Sequence, residues 1–307
     1  MKHARPRATT RSATRSKTRS ATRPTTRSTA RLSEPVAVLG LGLIGGSLAR
    51  DLSERGATVW GFDRDASATR HAHRAGVIAR VIDRDLRILR DATTIVIAVP
   101  VDAAPDLLTR AGAIATAATL ITDVGSTKRR IVQQAMALGL SRIFVGSHPM
   151  AGDHRSGWQA SRRGLFAGAR VDLCPTLDTG ADAWTRARDL WRAVGARPVK
   201  RDAARHDAEM ALSSHLPQLL SLALAGTLSS RAIGQGDLGN GGKDMTRMAA
   251  SSLEMWAPIL DENDVPVLDA LDTCLAQLGA LRGAIARRDR RALAEAFAAA
   301  HQWTNAG

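Results

Sequence analysis

Tyrosine is absent from these 307 residues, cysteine occurs only twice, and aromatic side chains make up 3% of the chain. No function class follows from the missing tyrosine. The two cysteines, Cys174 and Cys274, are too few and too far apart for a disulfide framework or a zinc ribbon. They read as buried thiols of a reducing cytoplasm, and no metal site is expected. No apolar run reaches the roughly 18 residues that a membrane span needs. The most apolar stretch, Val36 to Ala49, is broken by glycines and a serine, and no signal-peptide core precedes it. Acidic residues are missing from the first 33 positions. Ten of the basic residues, from Lys2 to Arg31, precede the first acid, Glu34, and without them the net charge of +14 falls to +4. The charge is therefore a property of one segment, and nucleic acid is not expected as a partner of the body.

That segment, residues 1–33, is a loose repeat of Thr, Arg and Ser. It has too few apolar side chains to offset chain entropy, so a disordered basic tail is expected. Its arginine- and serine-rich, acid-free composition also fits an organelle transit peptide or weak attachment to polyanions. It lacks the apolar face of the first and the aromatics that would stack on bases.

From Val36 the chain alternates short apolar runs with helical patterns. "VAVLGL", "TVWGFD", "TTIVIAVP", "TLITDVGS", "RIFVGSHP", "RVDLCPT" and "ARPVKRD" read as strands. "IGGSLARDLSERG", "SATRHAHRAG" and "DAWTRARDLWRAVG" read as helices closed by glycine. This order predicts an α/β class: a doubly wound, mainly parallel, Rossmann-type sheet over residues 34–204. After His206 the apolar spacing becomes 3.6 throughout, so residues 205–307 read as an all-α second domain. Several of its helices are apolar on more than one face. That predicts a homodimer through the helical domain. The chain runs out soon after the last helix, so no appended regulatory domain is expected.

Gly40, Gly42 and Gly45 form G-x-G-x-x-G between the first strand and the first helix. In that context the first glycine permits the turn, the second lets backbone approach a pyrophosphate, and the third lets helix and strand pack closely. Leu43 and Ile44 inside the turn, and Val99 and Pro100 after "TTIVIA", join the predicted cofactor contacts. Asp63 ends the next strand, eighteen positions after Gly45. An acid there binds ribose hydroxyls and repels a 2′-phosphate, which favours NAD. Arg64 beside it leaves NADP open.

"VAVLGLGLIGGSLA", "IVIAVPV", "DVGSTK", "GSHPMAG", "HDAEMALSSHLP" and "KDMTRMA" with a following "MW" occur in that order. Together they resemble the prephenate/arogenate dehydrogenase family of tyrosine biosynthesis, over nearly all of the chain from Val36. The resemblance implies oxidative decarboxylation of a cyclohexadienyl substrate with hydride transfer to a nicotinamide. It implies that His148 is the catalytic histidine and that Ser126 bridges it to the nicotinamide region. It implies that Arg247 anchors a substrate carboxylate, with His215 and Trp256 near the pocket. Asp244, three residues before Arg247, would share its helix face and orient it.

Each residue also has a structural reading. His148 would cap a strand end before Pro149, and Ser126 would cap a helix beginning at Thr127. Arg247 would be a solvated helix residue, and His215 a buried helix histidine. Two places depart from the family pattern: Gln218 stands where relatives carry histidine, and Asp153, His154 and Arg155 follow "HPMAG" where relatives carry glutamate. Both bear on the choice between prephenate and arogenate, with Gln218 expected to meet the substrate side chain. Two further readings stay open. One is a β-hydroxyacid or 6-phosphogluconate type of dehydrogenase using Lys243, the only lysine of the helical part. The other is a non-catalytic NAD-binding protein.

Overall fold

In the computed structural model the described residues are 34–116, 119–153 and 155–306. The expectation for the basic tail, and that for His154, fall outside them. Strands β1 (Val36–Leu39), β4 (Thr94–Ile97) and β5 (Leu120–Asp123) are buried along their whole length. That is the pattern of parallel strands covered on both faces. They are joined by β2 (Val59–Phe62), β3 (Arg80–Val81), β6 (Phe144–Pro149), β7 (Arg170–Pro175) and β8 (Arg197–Lys200) in one eight-stranded sheet of order β3-β2-β1-β4-β5-β6-β7-β8. All neighbours run parallel except β6 and β7. The expected doubly wound sheet is therefore present. The pair β3 was not foreseen in the sequence, because both of its residues are exposed and two residues carry no period.

Helices α1 (Leu43–Glu54), α2 (Ala66–Arg74), α3 (Ala104–Gly112), α4 (Arg129–Ala137) and α5 (Ala181–Ala193) connect the strands. Two apolar cores result, one on each face. One gathers Val38, Leu48, Leu52 and Trp191, the other Leu39, Ile95, Leu108 and Phe144. Strand order reverses between β1 and β4. The crevice beyond the carboxyl ends of these two strands is the position where such sheets bind ligands. The glycine turn leaves β1 there, Asp63 follows β2, Val99 follows β4, Ser126 follows β5, and His148 lies near the end of β6.

After β8 the described residues are mainly helical: α6 (Ala203–Met210), α7 (Leu216–Ser229), α8 (Asn240–Thr246), α9 (Leu253–Glu262), α10 (Asp264–Ala286) and α11 (Arg290–Asn305). Between α6 and α7 the chain widens into a π turn over Ala211–His215. The turn lies just before Pro217, whose ring would collide in a regular α-helix with the carbonyl four residues earlier. The long apolar stretch after Ser252 breaks at Asn263, which separates α9 from α10. The buried core of this part is small, centred on Ala211, Val267 and Ala270. Val265, Leu268, Leu275, Leu278 and Ile285 along α10, and Phe297 and Trp303 on α11, stay exposed. Among the described residues no helix is long and apolar enough to cross a membrane.

Candidate active site

The glycine turn fits a dinucleotide on its geometry. Gly40 has φ +101°, and a Cβ there would meet the carbonyl oxygen of Ala98 at 2.2 Å. A Cβ on Gly45 would lie 2.0 Å from the carbonyl oxygen of Gly40. Both contacts are impossible for any other residue. At Gly42 nothing lies within 4 Å of that position, so the backbone there faces open space. Gly42 precedes α1 without a side-chain cap, so the uncapped N–H groups of the first turn can receive a phosphate. Asp63 accepts hydrogen bonds from the backbone N–H of Leu41 at 2.7 Å and of Asp65 at 2.8 Å. The carboxylate is thereby fixed at the turn, half-buried, with lone pairs left for ribose hydroxyls. Arg64 beside it is exposed. Val99 packs against Gly40, Ile44 lies half-buried near Gly152, Leu43 is buried, and Pro100 is exposed.

Ser126 does not cap α4. That helix begins at Arg129, and no side chain of its own loop caps it. Asp207 of α6 does so instead, accepting from the N–H of Lys128 and of Arg129 at 2.8 Å each. Ser126 lies half-buried in the loop between, and its hydroxyl makes no hydrogen bond among the described residues. The loop is anchored from below by Asp123, whose carboxylate accepts from Gly125 N–H at 2.9 Å and Ser147 N–H at 3.2 Å. Lys128, fully buried, forms an ion pair with the same carboxylate. Ser147 is fixed in turn, its hydroxyl receiving the Trp191 indole N–H at 3.0 Å and meeting Thr122 Oγ1 at 2.7 Å.

The half-buried His148 ring follows directly. Its Nδ1 lies 2.9 Å from His206 Nε2, and His206 Nδ1 lies 2.8 Å from Asp207 Oδ1. Burial holds the His148 imidazole well below its ordinary pKa, and the charges of Lys128 and Arg170 push the same way. It is a neutral acceptor at neutral pH. It opens on a cleft of about 380 Å³, lined also by Met150, Arg170, Met210, Ser213 and Ser214.

His215 is 1% exposed. Its Nδ1 meets Asn263 Nδ2 at 3.1 Å, and the same amide donates to the Asp207 carbonyl at 2.8 Å. The Trp256 ring stands edge-on to it, with 5.8 Å between centroids. Burial pushes the His215 pKa down to about 4.

Two expectations need correction, those for Asp244 and Gln218. Asp244 does not orient Arg247. The two form no ion pair, because α8 ends at Thr246 and Arg247 opens a tighter 3-10 turn, where α-helical spacing no longer holds. Arg247 is exposed and does not line the cleft around His148. Gln218 is not presented to a ligand. It is 1% exposed, donates to the Met248 carbonyl at 2.9 Å and accepts from Ser251 Oγ at 3.4 Å, so both ends of the amide are used inside the protein. Asp153 is held by Arg155 and by Arg162, each at 2.8 Å, which spends its charge locally.

Lys128, Arg170, His206, Asp207 and Asn263 join the site only through the fold. "DVGSTK" and "HDAEM" were in view, but nothing local marks which charges find a partner across the fold.

The sheet, the glycine crevice at its strand-order switch and the histidine on the same edge of the sheet define a Rossmann-type dinucleotide-dependent oxidoreductase with a helical second part. Residues 48–200 match the family model described as prephenate dehydrogenase, nucleotide-binding domain. Residues 202–299 match prephenate dehydrogenase, dimerization domain. The chain is 31% identical to the prephenate dehydrogenase of Bacillus subtilis (strain 168) over 89% of its own length and 76% of that protein's. It is 32% identical to the cyclohexadienyl dehydrogenase of Zymomonas mobilis over 85% of its own length and 92% of that protein's. The crystal structure of prephenate dehydrogenase from A. aeolicus with hydroxyphenyl propionate and NAD+ superposes with a TM-score of 0.81 at 27% identity, covering 88% of this chain and 97% of that one. The chain belongs to the prephenate dehydrogenase family.

Proposed function

We propose that this chain carries out the oxidative decarboxylation of prephenate, arogenate or both, giving 4-hydroxyphenylpyruvate or tyrosine. The observation that carries the reading is His148. It is a neutral imidazole at the carboxyl end of β6, opening on the cleft, on the edge of the sheet where β1 leads into the glycine turn and β5 into the Ser126 loop. NAD+, when bound, supplies the hydride acceptor. The uncapped first turn of α1 would hold its pyrophosphate, and Asp63 its ribose hydroxyls. The fixed carboxylate at Asp63 would repel a 2′-phosphate, which supports NAD over NADP. His148 accepts the hydrogen bond of the substrate hydroxyl and holds its proton as the carbonyl forms. Ser126, with its hydroxyl uncommitted, would bridge that histidine and the nicotinamide. Arg247 would supply a guanidinium fork for a substrate carboxylate. His215 keeps the neighbouring helices in place and stays neutral.

A homodimer belongs to the same reading. The apolar residues left exposed along α10 and α11 need cover, and the dimerization-domain match, residues 202–299, takes in α10 and the first part of α11. Steady-state assays with prephenate and arogenate, each with NAD+ and NADP+, test the proposal. Turnover of at least one substrate with NAD+ is expected. Cofactor binding without turnover of either would favour the non-catalytic alternative.

A further inference from the structure

His206 and Asp207 have no role in the reading above, yet they stand directly behind His148. We propose that they are positioning residues that hold His148 as its Nδ1–H tautomer and leave the Nε2 lone pair as the acceptor facing the cleft. The inference rests on the reading that His148 takes the substrate proton.

The partners dictate where each hydrogen sits. The N–H groups of Lys128 and Arg129 at the start of α4 can only donate, and both point at the Asp207 carboxylate at 2.8 Å. Both oxygens of the carboxylate therefore accept. The hydrogen between Asp207 Oδ1 and His206 Nδ1, 2.8 Å apart, therefore sits on the ring. A neutral His206 with its hydrogen on Nδ1 has a lone pair on Nε2. His148 Nδ1, 2.9 Å from that lone pair, must bring the hydrogen. A neutral His148 protonated at Nδ1 has its remaining lone pair on Nε2.

The packing leaves little room for the chain to reverse. His206 is 1% exposed, and the two rings are fixed edge to face with centroids 5.1 Å apart. The Asp207 backbone is pinned by Asn263. α6 itself is capped by Asp202, which accepts from the Arg205 N–H at 2.9 Å. When the substrate O–H bond breaks, its electron pair stays on oxygen and the new N–H bond forms at His148 Nε2. The Nδ1–H keeps its bond to His206, and the Asp207 charge beyond it offsets the imidazolium. No proton has to leave Nδ1.

The test is ring-15N NMR of histidine in the full-length protein without substrate, with the His148 signals identified by their loss in His148→Asn. Protonated Nδ1 and unprotonated Nε2 on His148 at neutral pH are expected. In His206→Phe, which removes the acceptor, the Nδ1–H signature should be lost. Its kcat should fall about 10–100-fold with KM for substrate and for NAD+ within about twofold. Asp207→Asn, whose amide can donate to His206 Nδ1, should reverse the tautomer as well. His148 protonated at Nε2 in the wild type, or a doubly protonated His206, overturns the proposal without any variant having to fold. So does His206→Phe with wild-type kcat. A wild type that turns over neither prephenate nor arogenate overturns the functional reading instead, since the tautomer is measured on the resting protein.

Discussion

Gln218 donates its amide N–H to the backbone carbonyl of Met248, 2.9 Å away and one residue after Arg247. A residue that stands where relatives carry histidine is thus a strut under the arginine's turn. Gln218→Ala should leave that carbonyl without its partner and lower stability by about 1–3 kcal/mol. It should raise KM for prephenate and arogenate by the same factor, because a strut does not distinguish substrate side chains. Urea melts and paired kcat/KM values check this. A changed substrate ratio would place Gln218 in contact with the ligand.

His148→Asn should lower kcat by about 10²–10⁴-fold while NAD+ affinity holds, the range for a lost general base. Lys243→Ala, on the exposed surface of α8, should change turnover little. Single-turnover rates for the two variants separate this family's chemistry from that of a lysine-dependent dehydrogenase. The reverse pattern would exclude His148.

Much of the sheet was legible because its strands are short, apolar and buried on both faces, and its helices end on glycine. The cofactor crevice was legible because its requirements are local: a positive φ at Gly40, a close approach at Gly45, an acid at the next strand end. The support behind the catalytic histidine was not. Lys128 and Asp207 are 79 positions apart, and Asp207 and Asn263 are 56 apart. A charged side chain reads as solvated until the fold supplies its partner. Gln218 failed for a related reason. The resemblance supplied a substrate contact, but whether an amide faces a ligand or a carbonyl depends on the turn at Met248.

The buried pair Asp123–Lys128 fixes the loop that carries Ser126. Lys128→Met removes one partner and leaves a buried carboxylate with two backbone donors. The expected loss is about 3–5 kcal/mol of stability, read from urea denaturation. A variant as stable as the wild type would mean that the two N–H groups suffice.

Stability should rise with pH between about 4 and 6.5. The folded His215 titrates near 4, below its ordinary value of 6.5, because burial disfavours its charged form. Between those values the unfolded chain binds the proton that the folded one refuses, so stability falls as pH drops through 6.5 and levels off below about 4. The full span is on the order of 3 kcal/mol, and His148, depressed in the same direction, adds to it. Denaturation midpoints at pH about 5 and about 7.5 read the slope, and His215→Asn should flatten it. An equally steep slope in that variant would put its origin elsewhere.

Arg247 gives the sharpest separation of binding from structure. Its side chain is exposed at the start of a 3-10 turn and has no ion pair or hydrogen bond among the described residues. Nothing in the fold depends on its charge, so Arg247→Ala should leave the melting temperature within about a degree, as surface substitutions do. If the guanidinium grips a substrate carboxylate, its loss removes a charge-assisted contact worth about 2–4 kcal/mol in kcat/KM. Most of that loss should fall on KM, since the carboxylate is held before and during the reaction alike. Arg247→Lys should recover only part, because an ammonium keeps the charge and loses the fork. Melting curves with kcat and KM for the two variants decide it. An unchanged KM in Arg247→Ala would mean that the substrate carboxylate is held elsewhere, and Arg170, already on the cleft wall beside His148, would be the residue to replace next.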